Sequence, residues 1–289
     1  MRLLVTGAAG MLGHDACAAA RRAGHEPQAI DLPELDITDP AAVAAFLAEH
    51  HPEAILNCAA WTDVDGAESH REQAYRVNAE GAGNLARGAA EIGVPLVHIS
   101  TDYVFDGAAP LDAEGAPRPY VESDPTGPIS VYGGSKLEGE RQVLAASPRH
   151  TVARTAWLYG VHGRNFVDTM LRLAEEREEV QVVDDQIGSP TWSGHLAPAV
   201  IGLLEREVSG LVHLTGAGSV SWNGFAREIF RQAERSCRVE AVSSEQFARP
   251  APRPGWSVLA SERPEVLPMP DWRDGLAGYL AARAGMIRA

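Results

Sequence analysis

Short runs of consecutive apolar residues alternate with longer segments of helical character through the first half of the chain. The apolar runs predict buried β-strands at residues 2–6, 28–31, 54–57, 96–100 and 151–154. The segments between them predict helices at residues 11–23, 41–50, 72–92 and 135–146. Because strands that alternate with helices form βαβ units, the pattern predicts an α/β fold with a Rossmann-type, doubly wound parallel sheet.

This rhythm loosens after about residue 160. Helices are predicted at residues 165–176, 195–207 and 222–235, and loops at residues 185–191 and 249–256. We interpret residues 1–160 as the sheet-forming domain and residues 161–289 as mainly a smaller C-terminal lobe, of which later segments can return to the sheet.

Charge and composition exclude several classes of partner. Lys and Arg total 25 against 39 Asp and Glu, which gives a formal net charge of -14 at pH 7. Nucleic acid and anionic membrane surfaces both call for a basic face, so we expect neither as a partner. The N-terminal apolar run is too short for a signal peptide, and no stretch approaches the ~20 apolar residues of a membrane helix. We therefore expect a cytoplasmic protein.

The residues that commonly bind metals or attack carbonyl groups follow no known catalytic pattern. Cys17, Cys58 and Cys237 are odd in number and widely spaced, which indicates reduced, packed thiols. The ten histidines include no His-Glu-x-x-His motif and no zinc-ligand spacing. The chain also lacks the serine nucleophile of an α/β-hydrolase, because no Gly-x-Ser-x-Gly elbow is present.

A glycine-rich turn lies between the first predicted strand and the first predicted helix. Gly7, Gly10 and Gly13 are spaced as G-x-x-G-x-x-G, with Met11 and Leu12 in the last interval. Glycines permit a tight turn and close approach of the backbone to a pyrophosphate, which the helix N-terminus then faces. A purely structural turn is the alternative, but the position directly after the first strand favours binding of a dinucleotide.

Asp31 ends the second predicted strand, 18 residues beyond Gly13. An acidic side chain there can accept hydrogen bonds from the adenosine ribose hydroxyls, which favours NADH, although a nearby arginine can compensate for the like charge of a 2'-phosphate in NADPH. Asp36 and Ile37 fit adenine contact and ordinary loop packing about equally well.

Small residues follow the third predicted strand. Ala59 and Ala60 would let a cofactor lie against the backbone. Asn78 fits a cofactor contact, helix packing or a bound water equally well.

Tyr132 and Lys136 form the pair with the clearest chemistry. At positions i and i+4 they share a helix face, so one ammonium can act on both the phenol and the cofactor ribose. We expect the lysine charge to lower the tyrosine pKa, as general acid catalysis by a phenol requires. Such pairs are common by chance, but this one follows the Ser-Thr at the end of the fourth strand by roughly thirty residues.

Ser100 and Thr101 place hydroxyl groups at the end of that fourth strand. A hydroxyl there can hydrogen-bond a substrate carbonyl oxygen as it gains negative charge. We assign Thr101 as the donor to the substrate and Ser100 as a neighbour of the cofactor, with a simple strand-end turn as the alternative.

At these residues the chain resembles the dTDP-4-dehydrorhamnose reductase family of extended short-chain dehydrogenase/reductases, and it does so along nearly its whole length. The matching segments are Ser-Thr-Asp-Tyr-Val-Phe-Asp-Gly at 100–107, Tyr132 to Glu140, Arg-Thr-Ala-Trp at 154–157, Asn-Phe-Val at 165–167, Asp-Gln-Ile-Gly-Ser-Pro-Thr at 185–191, and Arg253-Pro254 followed by Ser257 and Leu259. The segments after residue 154 are specific to this subfamily.

The resemblance implies NADH- or NADPH-dependent reduction of the 4-keto group of dTDP-4-dehydro-6-deoxy-L-mannose to dTDP-L-rhamnose. It assigns residues 1–160 to a dinucleotide-binding Rossmann domain and the later lobe to binding of the dTDP-sugar substrate. Thr101, Tyr132 and Lys136 match the catalytic set. The residues that fall in segments resembling the sugar-nucleotide pocket are Thr101, Tyr103, Trp157, Asn165, Phe166, Gln186 and Arg253. A guanidinium such as that of Arg253 suits a diphosphate, and we favour this role over the alternative of a surface arginine in a proline-rich loop.

The sequence also departs from the family. Gly255 and Trp256 precede Ser257, and Ala260 stands where the family usually has a polar residue, so a 4-ketoreductase for another dTDP-deoxysugar stays open. Because the fold also serves a noncatalytic regulatory subunit, that role is a further alternative, against which the intact catalytic residues argue. Some members bind a divalent ion, Mg²⁺ for example, at a dimer contact. A homodimer is therefore open, but we can map no metal ligands.

Overall fold

A six-stranded sheet forms the centre of the molecule. In the computed structural model, which describes residues 1–287, its strands are β1 (Arg2–Thr6), β2 (Glu26–Ile30), β3 (Ala54–Asn57), β4 (Leu96–Thr101), β5 (Thr151–Thr155) and β10 (Gly210–His213). Their order across the sheet is β10-β5-β4-β3-β1-β2, and every neighbouring pair is parallel. The predicted Rossmann-type parallel sheet is confirmed.

Ten α-helices accompany the strands in the described part of the chain. They are α1 (Met11–Arg22), α2 (Pro40–His50), α3 (Val64–Ser69), α4 (Arg71–Tyr75), α5 (Ala82–Glu91), α6 (Val131–Ala146), α7 (Phe166–Glu176), α8 (Ser193–Glu205), α9 (Trp222–Gln232) and α10 (Trp272–Ile287). A π-helical segment at Arg76–Gly81 joins α4 to α5, so the single helix predicted at 72–92 is continuous but changes its hydrogen bonding midway. Helix α6 begins four residues before its predicted start, which places Tyr132 in its first turn.

Successive side chains of β1 are buried on opposite faces of the sheet. Leu3 and Val5 pack in one core with α1 and α8, and Leu4 packs in the other with α2 and α5. Because successive side chains of a strand point to opposite faces, a run of consecutive apolar residues requires cover on both sides. The helices supply that cover, and the sheet is doubly wound.

The second lobe has a core of its own. The remaining strands are short: β6 (Leu158–Tyr159), β7 (Glu179–Val183), β8 (Ile187–Gly188), β9 (Thr191–Trp192), β11 (Val220–Ser221), β12 (Arg238–Val242) and β13 (Trp256–Ser257). Helices α7, α9 and α10 pack around β7 and β12, with Phe225 and Tyr279 fully buried between them. Helix α8 and strand β10 also come from the second half of the chain, but they pack with the central sheet.

None of the helices within residues 1–287 is both long enough and apolar enough to cross a membrane.

Candidate active site

The carboxyl ends of β1 to β5 open into one cavity of about 780 Å³. Ligands of doubly wound proteins bind at this edge of the sheet, because the loops that follow parallel strands converge there. The predicted site residues that line the cavity are Gly7, Gly10, Met11, Leu12, Gly13, Asp31, Asp36, Ile37, Ala59, Ala60, Ser100, Thr101, Tyr103, Tyr132, Lys136 and Trp157. Asn78, Asn165, Phe166, Gln186 and Arg253 lie outside this lining.

The glycine turn brings the start of α1 close to β1 and β3. Gly7 has a φ of +68°, and a Cβ atom on it would lie 2.5 Å from the backbone nitrogen of Ala59. A Cβ on Gly13 would lie 2.2 Å from the Gly7 carbonyl oxygen. Gly10 is the N-cap of α1 and offers no side chain to the first helical N–H groups. These N–H groups and the positive end of the helix dipole fit a diphosphate.

Asp31 stands directly after β2, beside the glycine turn. Its carboxylate accepts hydrogen bonds from the backbone N–H groups of Ala9, at 3.0 Å, and of Leu32, at 2.9 Å. These two bonds fix the carboxylate at the cavity wall, where ribose hydroxyls can reach it. Asp36 bonds the backbone N–H of Thr38, and hydrogen bonds from Thr38 lower its pKa. The neighbouring side chain of Ile37 is buried.

Thr101 and Asp102 are buried at the end of β4, and the partly buried Tyr132, in the first turn of α6, lies next to them. The Thr101 hydroxyl donates to Asp102 Oδ1 at 2.9 Å and accepts the backbone N–H of Tyr103 at 3.2 Å. Burial raises the pKa of the Asp102 carboxyl to about 6, although hydrogen bonds that include one from Thr101 act the other way. Asp102 therefore competes for the hydroxyl proton that the sequence assigns to a substrate carbonyl. Nothing in the sequence pattern separated Asp102 from an ordinary strand-end residue.

The expected effect of Lys136 on the Tyr132 phenol is not found. Burial raises the pKa of Tyr132 to about 12, the nearby Asp102 charge raises it further, and a hydrogen bond with Thr101 lowers it. Lys136 Nζ instead donates to the carbonyl oxygen of Ile99 at 2.7 Å and lies 3.1 Å from His98 Nε2. The prediction was wrong because it considered only the shared helix face and not the strand that lies opposite the lysine.

Ser100 belongs to a buried ion pair beneath the cavity. Its hydroxyl donates to Glu140 Oε1 at 2.5 Å, and Glu140 also pairs with the Arg154 guanidinium at 2.9 and 2.7 Å. Glu140 and Arg154 are almost fully buried. A paired and hydrogen-bonded charge of this kind holds α6 against β4 and β5. The Ser100 hydroxyl is therefore engaged in packing, although the residue still lines the cavity.

Arg253 approaches the cavity through Tyr103. Its guanidinium makes two hydrogen bonds to the Asp65 carboxylate, at 2.5 and 2.9 Å, and it also contacts the Tyr103 hydroxyl. The Tyr103 ring meets the Tyr132 ring edge to face, with centroids 5.5 Å apart. The loop at residues 249–256 is thus held at Asp65, and Tyr103 lies between Arg253 and Tyr132.

Two tryptophans form one wall of the cavity. The rings of Trp157 and Trp222 stack with centroids 3.5 Å apart and an interplanar angle of 5°. Trp157 has a φ of +46°, a conformation that an L-residue adopts only when its surroundings hold it there. Trp222, the first residue of α9, was missed because an aromatic residue at a helix start carries no distinctive sequence signal.

The other predicted lobe residues serve packing and capping. Asn165 is the N-cap of α7, accepting the Asp168 N–H at 3.0 Å and donating to the Gly160 carbonyl at 2.8 Å. Phe166 packs on Trp222, with centroids 4.5 Å apart. Gln186 is half-buried, and its backbone carbonyl accepts the Trp222 N–H.

Asn78 also acts as a structural link. Its side chain accepts the backbone N–H of Trp61 at 2.8 Å and donates to the Ser135 hydroxyl at 2.9 Å. It is fully buried in the π-helical segment and ties the loop after β3 to α6.

One group of potential metal ligands occurs within the described residues. Side-chain atoms of His14, Asp15 and His162 lie within 4.8 Å of one another. The two imidazoles stack with centroids 3.5 Å apart and an interplanar angle of 26°, so their lone pairs, which lie in the ring planes, occupy two stacked layers. Mg²⁺ moreover prefers an octahedron of oxygen ligands. The group does not fit Mg²⁺.

Comparisons with known proteins agree with this geometry. The RmlD substrate binding domain matches residues 1–284. A dTDP-4-dehydrorhamnose reductase of Mycobacterium tuberculosis is 48% identical over 98% of this chain and 93% of its own length. A probable dTDP-4,6-dihydroxy-2-methyloxan-3-one 4-ketoreductase of Streptomyces antibioticus is 44% identical, over 96% of this chain and 93% of that protein.

A crystal structure gives the same answer for the fold. The dTDP-4-dehydrorhamnose reductase of Bacillus anthracis, solved in complex with NADP, superposes with a TM-score of 0.92 and 39% identity, covering 97% of this chain and 99% of that one. Sequence and structure agree over nearly the whole length, and the chain belongs to the RmlD substrate binding domain family.

Proposed function

We propose that this protein is an NAD(P)H-dependent reductase that converts the 4-keto group of dTDP-4-dehydrorhamnose to the alcohol of dTDP-L-rhamnose. One observation carries the proposal: Thr101, Tyr132 and Lys136 line the same cavity as the glycine turn that starts α1. Proton donor and dinucleotide-binding elements are therefore side by side, as hydride transfer to a carbonyl requires.

Tyr132 is the proton donor in this proposal. Burial raises its pKa to about 12, so the phenol keeps its proton at neutral pH but is a weaker acid than the lysine-activated phenol that the sequence predicts. Reduced nicotinamide, when bound, supplies the hydride. The carbonyl oxygen gains negative charge as the hydride arrives, and Tyr132 transfers its proton to that oxygen. Thr101, within hydrogen-bond reach of the phenol, orients it and can then contact the same oxygen.

The cofactor fits the residues at the cavity. The N-terminus of α1 takes the diphosphate, and the Asp31 carboxylate faces the ribose hydroxyls. Asp31 favours NADH, whereas the NADP complex of the Bacillus anthracis relative shows that a member of the family accommodates the 2'-phosphate. Both cofactors therefore belong in the assay.

The sugar nucleotide is proposed to bind between the tryptophan wall and the Arg253 loop. Trp157 and Trp222 offer an apolar face to the sugar or base, and the Arg253 guanidinium suits a diphosphate. Asp65 already engages Arg253 by a two-point ion pair, so the arginine is presented in a fixed orientation. A homodimer and a cytoplasmic location stay predictions from the sequence.

A second candidate is a 4-ketoreductase that acts on another dTDP-deoxysugar. The Streptomyces antibioticus relative carries such a name at 44% identity, close to the 48% of the mycobacterial rhamnose enzyme. Identity at this level does not separate the two substrates, because a few differences in pocket contacts can change which substrate is preferred.

The decisive experiment follows the absorbance of reduced nicotinamide with dTDP-4-dehydrorhamnose, with NADH and NADPH in parallel, and identifies the product by NMR. We expect oxidation of NADH or NADPH together with formation of dTDP-L-rhamnose. A product epimeric at C4, or turnover only with another 4-keto sugar, favours the second candidate. Absence of turnover with every 4-keto sugar tested, together with a stable protein partner in a pull-down, would indicate the noncatalytic regulatory role instead.

A further inference from the structure

Lys136 is the only lysine in the 289 residues, and it is almost completely buried. Its Nζ has two polar neighbours, the carbonyl oxygen of Ile99 at 2.7 Å and Nε2 of His98 at 3.1 Å. The carbonyl can only accept a hydrogen bond. The His98 ring can donate or accept at Nε2, depending on which nitrogen carries the proton. The protonation state of Lys136 therefore depends on the tautomer of His98.

The tautomer of His98 is fixed from the neighbouring strand. Asn57 on β3 is the register partner of His98 on β4. The Asn57 Oδ1 atom accepts the backbone N–H of Ala59 at 3.0 Å and the Thr6 hydroxyl at 2.9 Å. Because a backbone N–H can only donate, it determines which end of the amide is oxygen. The other end, Nδ2, must donate to His98 Nδ1, which lies 3.0 Å away.

A neutral imidazole whose Nδ1 accepts a hydrogen bond carries its proton on Nε2. That N–H faces Lys136 Nζ. An ammonium has no lone pair, so an ammonium here would set two donors against each other at 3.1 Å between two almost fully buried side chains. A neutral amine resolves the conflict, because its lone pair accepts from Nε2 while one of its hydrogens is donated to Ile99.

The other groups around the lysine do not supply a free negative charge. Glu140, one turn further along α6, raises the lysine pKa, but less than burial lowers it, and its carboxylate already pairs with Arg154 and accepts the Ser100 hydroxyl. Cys58, after β3, also faces the lysine, but burial raises the pKa of its thiol to about 12, so it is uncharged at neutral pH. Burial likewise lowers the pKa of Lys136 to about 8 and keeps His98 neutral by lowering its pKa.

We propose that His98 is a positioning residue whose Nε2–H donor favours the neutral amine of Lys136, and that above pH 8 the lysine gains a proton from solvent when NAD(P)H binds. The second step rests on the proposed function. Ribose hydroxyls offer acceptors to Nζ in place of the imidazole, and the cofactor phosphates add negative charge, so both changes favour the ammonium. Cofactor binding is then linked to uptake of one proton.

The single lysine makes the ionisation directly measurable. Protein labelled with ¹³C,¹⁵N-lysine gives one lysine side-chain signal, whose chemical shift is followed against pH. We expect a midpoint near 8 for the wild type, against a reference lysine value of about 10.4. A wild-type midpoint at or above 10 would overturn the proposal.

Two variants separate His98 from burial alone. In His98→Gln the amide can turn its oxygen toward an ammonium. The proton affinity of the lysine should then rise at least tenfold, which raises its titration midpoint by at least one pH unit. His150→Gln is the matched control, because His150 is equally buried but bonds only the Leu96 N–H and the Ala86 carbonyl. The control leaves the midpoint unchanged. An unchanged midpoint in His98→Gln would contradict the proposed role of the imidazole.

Proton uptake needs only the wild type and so does not depend on the folding of His98→Gln. Mixing NADPH with wild-type protein at pH 9 in a weakly buffered indicator solution should consume close to one proton per bound cofactor, and Lys136→Met should consume none. Binding without proton uptake overturns the coupling. A low lysine midpoint in a protein that reduces no keto sugar would instead count against the proposed function and leave the role of His98 standing.

Discussion

The carboxyl edge of the sheet and the second lobe both carry motifs that the sequence singles out, yet the structure uses them differently. At the sheet edge, Thr101, Tyr132 and Lys136 come from a strand end and a helix start and meet in one cavity. In the lobe, Asn165 caps a helix and Phe166 packs in an aromatic cluster. A parallel sheet brings its strand ends together by topology, whereas a loop motif in a small lobe can serve that lobe's stability alone.

The largest expected effect tests the sheet edge. Tyr132→Phe removes the acidic proton and keeps the ring, so we expect kcat to fall by roughly 10²- to 10⁴-fold, the range typical of general acid catalysis. The thermal midpoint should stay near that of the wild type, because the ring packing with Tyr103 is kept. Steady-state kinetics and thermal unfolding measure the two quantities. Full activity in a folded variant contradicts the assignment of Tyr132 as proton donor.

A second prediction concerns the free energy of unfolding near the same edge. With a lysine pKa of about 8 in the folded state and about 10.4 when unfolded, the unfolded chain binds the extra proton between these values. Wild-type stability should therefore rise with pH across this window, by on the order of 3 kcal/mol relative to Lys136→Met, with no relative change below pH 8. Urea unfolding of both proteins from pH 7 to 10.5 checks this. Parallel curves would mean that the lysine ionises normally.

A third prediction tests whether Asn165, in the second lobe, serves stability and not substrate binding. Asn165→Ala removes the N-cap of α7 and should reduce the free energy of unfolding by about 1–2 kcal/mol. Well below the unfolding temperature, kcat and KM should stay within twofold of the wild type, because Asn165 lies outside the cavity lining. Asn165→Ser keeps a capping oxygen and serves as the control. A large rise in KM with unchanged stability would place Asn165 in the substrate site.

The smallest effect concerns cofactor choice. Asp31→Asn keeps an oxygen that can accept the Ala9 N–H but removes the charge that opposes a 2'-phosphate. We expect the ratio of kcat/KM for NADPH to that for NADH to rise roughly fivefold, since a partly exposed charge contributes up to about 1 kcal/mol. Initial rates with both cofactors measure it. An unchanged ratio would show that Asp31 does not sense the 2'-position.

The sequence predicts five of the six strands of the central sheet to within two residues, because most of them are runs of consecutive apolar residues. It misses β10, which the second half of the chain contributes to the sheet. It also predicts Tyr132 and Lys136 as partners on one helix face. It cannot predict the contact of Lys136 with His98, which depends on how α6 packs against β4. The position of Trp222 beside Trp157 is equally hidden, because it depends on how α9 packs in the lobe.

The stacked pair of Trp157 and Trp222 gives the protein an internal optical reporter. Two indoles in parallel contact interact electronically, so their joint circular dichroism differs from the sum of two isolated rings. The two rings come from segments far apart in the chain and both border the cavity. A molecule that contacts these rings or changes their stacking is therefore expected to change this circular dichroism without an added label. Binding of an unreactive nucleotide, for which no turnover can be followed, would then be visible in the spectrum of the protein itself.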